Sequence, residues 1–341
     1  MEYTWSRAFA DGREAALMGG DAGRLLDACR RLSSAGAKTA SGLVEAPLLG
    51  VPEYDALVIH NPRGLLSGCL VADSSLTQAQ EVLDWAAQRK PYPPYIFFEL
   101  DAAGSGSLSG IHCKIEGNLK LAEAFFRTVG EPERSKAFLR LADRLPEGWY
   151  ARHAGVFPGR DINSTRMEVE PFTPEARQAL SDPTYVRRWL DELGFTAYDD
   201  IMCSDIARLA AVDTPISVQF DFLPDGTFLP VLSLLSMYEN MRPDCGPLFA
   251  EDGALRRLCL LYQEMGVSDG RWRLLEPCLF SARRGFRMPD GGIELSFHHC
   301  FPCGTKAKWR EGRRTSAKFY LLLDASRVPL RSRKDRLKHT R

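Results

Sequence analysis

Apolar and polar residues alternate singly along several short runs of this chain, and the runs come in pairs. In "YIFFELDAAGSGSLSGIHCKIEG" (95–117) two such runs flank a Gly/Ser turn, which predicts two antiparallel strands. Similar pairs are read at "YDALVIHNPRGLLSGCLVAD", "GWYARHAGVFPGR" with "STRMEVEPF", and "ISVQFDF" with "TFLPVLSLLSM". A last β section comprises "EPCLFSARRGF", "IELSFHHCF" and "SAKFYLLLD". Between the pairs the apolar spacing lengthens to three and four, which predicts amphipathic helices. Examples are "DAGRLLDACRRLSSAG" (21–36), "SLTQAQEVLDWAAQRK", "NLKLAEAFFRTVG" and "DGALRRLCLLYQEMG". Paired strands between helices imply hairpins, whereas a parallel sheet would show single strands alternating with helices. The expected class is therefore α+β, in repeated α-β-β-α units. Without an evident linker, residues 1–326 are expected to form one domain, followed by a basic, flexible tail at 327–341.

Period two also assigns faces. Glu99 and Asp101 share one face of their strand and Phe98 and Leu100 the other. His112, Lys114 and Glu116 oppose Ile111, Cys113 and Ile115. Arg166, Glu168 and Glu170 oppose Met167 and Val169. Gln219 and Asp221 oppose Val218 and Phe220. Glu294, Ser296 and His298 oppose Ile293, Leu295 and Phe297, and Lys318 and Tyr320 oppose Phe319, Leu321 and Leu323. The apolar faces are expected beneath the helices. The polar faces either meet water on an open sheet or line the interior of a closed barrel, and periodicity allows both.

Bulk properties narrow the function classes. Of 341 residues, 45% are hydrophobic and 26% charged, with a formal net charge of zero, so no overall field attracts nucleic acid. Nine cysteines without framework spacing suggest free thiols in a cytoplasmic protein. The start reads as no signal peptide, and no apolar run is long enough to suggest membrane insertion.

The helix–strand–strand–helix order resembles the ABBA prenyltransferases, whose five such units surround a closed antiparallel ten-stranded β-barrel. "FELDAAGSGSLSGIHCKIEG" is similar to the stretch of the dimethylallyltryptophan synthase branch that carries an indole-contacting glutamate and, one strand later, a basic residue. On that match Glu99 takes the glutamate's place and His112 the arginine's. "VQFDFLPDGTFLPVLSLL" is similar to the branch's Phe-Asp strand and its successor, although Leu and Ser stand where Lys-x-Tyr is the pattern. "SAKFYLLLD" is similar to its Lys-x-Tyr strands, which places Lys318 and Tyr320 in that pattern.

The resemblance implies an aromatic prenyltransferase, moving an allylic group from a prenyl diphosphate to an indole, a phenol or a peptide side chain. Such chemistry needs cations on the leaving group, aromatic faces around the allyl cation and a base for the acceptor's proton. Facing selects Lys114, Arg166 and Lys318 for the diphosphate, with Arg152. Tyr320 is the candidate shield, with Tyr150 and Trp149 behind it. Glu99 and His112 are the candidate catalytic groups. No metal site is expected, and Mg²⁺ is possible but not required, since the chain has basic residues and no DDxxD motif. "DDIMCSD" lacks that spacing, and Cys300 and Cys303 lack two convergent partners for zinc. The alternative is a non-catalytic barrel binding a peptide or a cationic small molecule, favoured by Glu99, Asp101, Glu116, Glu168, Asp221 and Glu294. The segment "GTKAKWREGRRTSAK" and the tail, with seven Lys/Arg and one Asp, read as a basic surface. Stacking aromatics are sparse there, and no nucleic-acid partner is expected.

Overall fold

The computed structural model describes residues 2–10, 17, 39–50, 56–60, 75–89, 94–101, 108–237, 250, 253–288 and 292–330. Its strands are β1 (Thr39–Pro47), β2 (Ala56–His60), β3 (Ile96–Asp101), β4 (Leu108–Lys114), β5 (Trp149–Val156), β6 (Thr165–Pro171), β7 (Ser217–Phe222), β8 (Phe228–Met237), β9 (Phe280–Arg287), β10 (Ile293–Arg310) and β11 (Arg313–Leu330). The helices are α1 (Glu2–Ala8), α2 (Ser75–Gln88), α3 (Leu119–Thr128), α4 (Pro132–Ala142), α5 (Pro174–Ala179), α6 (Pro183–Leu193), α7 (Asp200–Ala210) and α8 (Ala254–Glu264). None of these helices is long and apolar enough to cross a membrane.

All eleven strands belong to one antiparallel sheet in the order β11-β1-β2-β3-β4-β5-β6-β7-β8-β10-β9, and β10 also pairs with β11. β9 lies at the end of that order, attached to β10. Pairing is thinnest between β1 and β2, where three residue pairs are in register, Gly42 with Ile59 through Val44 with Leu57. From β3 to β8 the sheet is a well-paired, curled half-barrel. The expected closed ten-stranded barrel is thus met in part: the α+β class, the antiparallel order and the helical layer are present, but the sheet curls as an open half-barrel rather than a closed barrel, and it has an eleventh strand.

Alternation places the core. Phe98, Ile111, Ala154, Met167, Val169, Val218, Phe220, Leu232, Trp309, Phe319 and Leu321 are buried in one apolar cluster with Phe125, Phe138, Trp189 and Ile206 of the helices. Trp149 of β5 stacks on Trp189 of α6 at 4.5 Å, and Trp189 meets Phe220 edge-on at 5.7 Å. The helices pack on this convex face and leave the opposite face to the interior.

Several sequence expectations change. The first hairpin is β1 with β2; the strand read after "HNPRG" and the helix read at 21–36 lie outside the described residues. β11 continues four residues into the predicted tail, of which 331–341 are not described. On β10 the faces are inverted. Ser296 is buried, and His298 shares a hydrogen bond with Thr4 of α1 at 3.0 Å, so these polar residues face a helix. A register shift between Pro302 and Gly304 resets the alternation before Thr305, Ala307 and Trp309 reach the same side. The segment read as a basic surface is the β10–β11 hairpin, turned by Glu311 and Gly312, both at positive φ (52° and 75°). Asp199 caps α7 by accepting from the Met202 amide at 2.7 Å, and Asp205 accepts two bonds from Arg314 at 2.6 and 2.7 Å. Asp199 and Asp205, two of the three aspartates of "DDIMCSD", thereby have structural work.

Candidate active site

The concave face gathers charge. Glu99 on β3 reaches Arg166 on β6 at 3.5 Å although β4 and β5 lie between them, and Lys306 on β10 donates to Gln219 on β7 at 2.7 Å across β8. Only strong curvature brings such separated strands within bonding distance. Cross-strand register lines up His112, Gly155, Arg166 and Asp221 on four neighbouring strands, and Lys114, His153, Glu168, Gln219, Ser233 and Lys308 on six.

Glu99 lies between two guanidiniums and an imidazole. Arg160, from the β5–β6 loop, donates to its Oε2 at 2.6 Å, while Arg166 and His112 Nε2 each stand 3.5 Å from Oε1. Burial raises the carboxyl's proton affinity, but Arg160, His112 and Arg166 outweigh it and hold the group well below the usual carboxylate range. Both guanidiniums also stack over Phe157, at 4.0 and 4.4 Å from its centroid.

His112 is 2% exposed and lies parallel on Phe97, with ring centroids 4.6 Å apart and planes at 6°. Its other side rests on Gly155, where an added Cβ would stand 2.3 Å from Nδ1. Burial depresses its proton affinity more than Glu99 restores it. Its Nε2 is buried without a hydrogen-bond partner of good geometry.

The expected cationic groups divide into two networks. Arg166 forms a two-pronged pair with Asp221 at 2.7 and 2.9 Å. Lys318 bonds to Glu45 and stands 5.8 Å from the Tyr320 ring centroid. Tyr320 is buried, and burial, Glu45 and Glu99 push its hydroxyl well above the usual tyrosine value. Arg152 and Tyr150 belong to a second network, in which Arg152 pairs with Glu170 at 2.9 Å and Tyr150 donates to Glu170 at 3.0 Å. Glu168 joins this network, accepting from Ser217 at 2.7 Å and Gln219 at 2.8 Å, with His153 at 3.2 Å. Lys114 pairs with exposed Glu116 at 2.8 Å. Tyr150 packs on exposed Phe172, and Trp149 faces the helices, so neither joins Tyr320.

Three interior residues were not legible as site candidates. Glu45 lies on unread β1, Arg160 comes from a loop, and Lys306 sits in the segment read as surface. The period-two signal in "GTKAKW" marked the side of Lys306, but the basic run obscured it.

The concave face also has an apolar nook, separate from the main core. Tyr320 packs there with Phe97, Met237, Cys303 and Leu322. Among the described residues, no group of three or more His, Cys, Asp or Glu side chains is arranged to hold a metal ion.

No protein-family model matches the chain, and no curated protein matches it. Solved structures do. The 5-dimethylallyltryptophan synthase from Streptomyces coelicolor superposes with a TM-score of 0.54 at 12% identity, covering 94% of this chain and 96% of that one. This chain has the ABBA prenyltransferase fold. PriB, in a binary complex with product diphosphate, superposes with the same TM-score of 0.54 at 9% identity over 94% of both chains. A ternary complex of the prenyltransferase PriB with L-tryptophan and dimethylallyl thiolodiphosphate matches equally, again at 9% identity and 94% coverage. Within the ABBA fold, this chain's concave face is the interior of the curled sheet.

Proposed function

We propose that this protein is an aromatic prenyltransferase whose curled sheet encloses a chamber for a prenyl diphosphate and an aromatic acceptor. The observation that carries the reading is the apolar nook around Tyr320 beside the basic residues Arg166, Lys306 and Lys318. An allylic diphosphate needs that combination of an apolar pocket for its tail and positive charge for its head. The ABBA neighbours, one bound to product diphosphate and one to a thiolodiphosphate and tryptophan, support the same substrate class.

In the proposed reaction the allylic C–O bond breaks and its electron pair leaves with the diphosphate, stabilised by Arg166, Lys306 and Lys318. Arg152 and Lys114, in the second network, contribute longer-range positive charge. The faces of Tyr320 and Phe97 shield the allyl cation from water. A ring atom of the acceptor forms the new bond, and its proton leaves toward Glu99 and His112. Because the chamber carries its own cations, Mg²⁺ is not required to hold the diphosphate. Incubation with dimethylallyl diphosphate and a panel of indoles and phenols tests the assignment: an acceptor gains the mass of one prenyl group.

A second reading rests on charge balance. Arg152, Arg160, Arg166 and Lys318 each lie against a carboxylate, Glu170, Glu99, Asp221 and Glu45. A chamber whose cations are already paired with carboxylates suits a binding protein for a cationic guest as well as it suits an enzyme. Diphosphate binding separates the two.

A further inference from the structure

Among the described residues, four basic side chains of the concave face have a buried or half-buried carboxylate partner: Arg152 with Glu170 at 2.9 Å, Arg160 with Glu99 at 2.6 Å, Arg166 with Asp221 at 2.7 Å, and Lys318 with Glu45. Lys306 has none within ion-pair distance among the described residues. It donates to the neutral amide oxygen of Gln219 at 2.7 Å, and Gln219 in turn gives its NH₂ to Glu168 at 2.8 Å. A bond to an amide is satisfied by a neutral amine as well as by an ammonium.

The surroundings favour the neutral form. Lys306 is 6% exposed and stands directly opposite Lys318 across the β10–β11 pair, a like-charge placement that disfavours two ammonium groups. Around it lie Leu235 on β8, Gln219 and Asp221 on β7, Arg166 on β6, Glu99 on β3, Glu45 on β1, Lys318 and Tyr320 on β11, and Lys308 on its own strand. Of the three carboxylates, Glu45 is bonded to Lys318, Glu99 to Arg160 and Asp221 to Arg166. Burial, then Arg166 and Lys318, lower the amine's proton affinity well below the ordinary lysine value, against the opposing pull of Glu45 and Glu99.

We propose that Lys306 is uncharged in the empty chamber and takes up a proton when a diphosphate docks on it, so that anion binding at this site is coupled to proton uptake. The inference rests on the diphosphate reading of the chamber and adds to it a regulator, the solution pH. The incoming anion supplies the counter-charge that Lys306 lacks, and the new ammonium strengthens the contact. By linkage, binding that takes up one proton strengthens by about tenfold for each unit by which pH falls, between the proton affinities of free and occupied Lys306. Protonation of the diphosphate itself is common to all variants and cancels in a comparison.

Calorimetry on the full chain, with inorganic pyrophosphate and with dimethylallyl diphosphate in buffers of different ionisation enthalpy at neutral pH, counts the protons. Wild type is expected to take up close to one proton more than Lys306→Arg, which carries a fixed charge. Lys306→Met, which cannot charge, is expected to bind more weakly and to lack the same proton. Thermal melting checks that each variant folds, and either variant alone suffices for the comparison. Equal proton counts in wild type and the folded variants overturn the inference and leave the diphosphate reading standing. If neither ligand binds wild type, both fall.

Discussion

The imidazole of His112 lies flat on Gly155, so closely that a Cβ at 155 would stand 2.3 Å from Nδ1. Gly110, on His112's own strand, is similarly hemmed in: its Cβ would lie 2.9 Å from Phe157 and 3.1 Å from His112 Nε2. Gly155→Ala must therefore press the imidazole against Phe97 or displace it sideways, and so change its distance to Glu99. The expected result is a destabilisation of about 1–3 kcal/mol from overpacking, with a larger proportional loss of transfer rate than of diphosphate affinity. Single-turnover rates beside pyrophosphate titrations separate the two effects. Equal losses in both would show that the glycine serves only the fold.

Acid stability follows from the buried carboxylates. Glu99, Glu168 and Asp221 are all held below their ordinary values, in each case because cations and hydrogen bonds outweigh burial. A depressed folded-state value stabilises the fold above the unfolded-state value, about pH 4 for carboxylates, and that contribution is lost as pH falls through the folded value. Urea midpoints are thus expected to be flat with respect to these groups from pH 7 to 5 and to fall below about pH 4. Glu99→Gln removes one of the groups and leaves Arg160 and Arg166 with less counter-charge. It is expected to cost about 3 kcal/mol at pH 7 and to flatten the acid limb.

Lys318 is expected to serve both stability and binding. Its partner Glu45 is 6% exposed, so Lys318→Ala leaves a buried carboxylate short of its donor. A loss of about 1–3 kcal/mol is expected, together with weaker pyrophosphate binding. Adding Glu45→Gln recovers the stability but not the affinity. Recovery of both would reduce Lys318 to a structural ion-pair partner.

Asp205 provides a contrast outside the chamber. It joins α7 to the β10–β11 hairpin through Arg314 at 2.6 and 2.7 Å and is 1% exposed. Asp205→Ala is expected to destabilise by about 3 kcal/mol, seen as a lower urea midpoint, while pyrophosphate affinity stays unchanged at a temperature where the variant is folded.

Legibility differed by element for physical reasons. β11 was readable because Lys318 and Tyr320 alternate without interruption against Phe319, Leu321 and Leu323, which all reach the main core. β10 misled because the shift between Pro302 and Gly304 changes the parity halfway along an 18-residue strand, so its first half reads with the wrong face inward. β1, "TASGLVEAP", has small residues and a glycine where strand signals are usually branched or aromatic, and Glu45 was lost with it. The shared face of Glu99, His112 and Arg166 was legible from alternation, but which side it lines was not, and Glu99 and His112 were singled out through the resemblance. Arg160 was not, because a loop residue has no periodicity; only the folded β5–β6 connection shows it at Glu99.

The activity proposed for the chamber is prenyl transfer to an aromatic acceptor. The most direct measurement is mass spectrometry of an indole and phenol panel after incubation with the purified full chain and dimethylallyl diphosphate, with and without a metal chelator. The account predicts an acceptor heavier by one prenyl group, an equal amount of released diphosphate, and product formation that persists with the chelator. An unchanged panel, with no binding of the diphosphate by calorimetry, would contradict it.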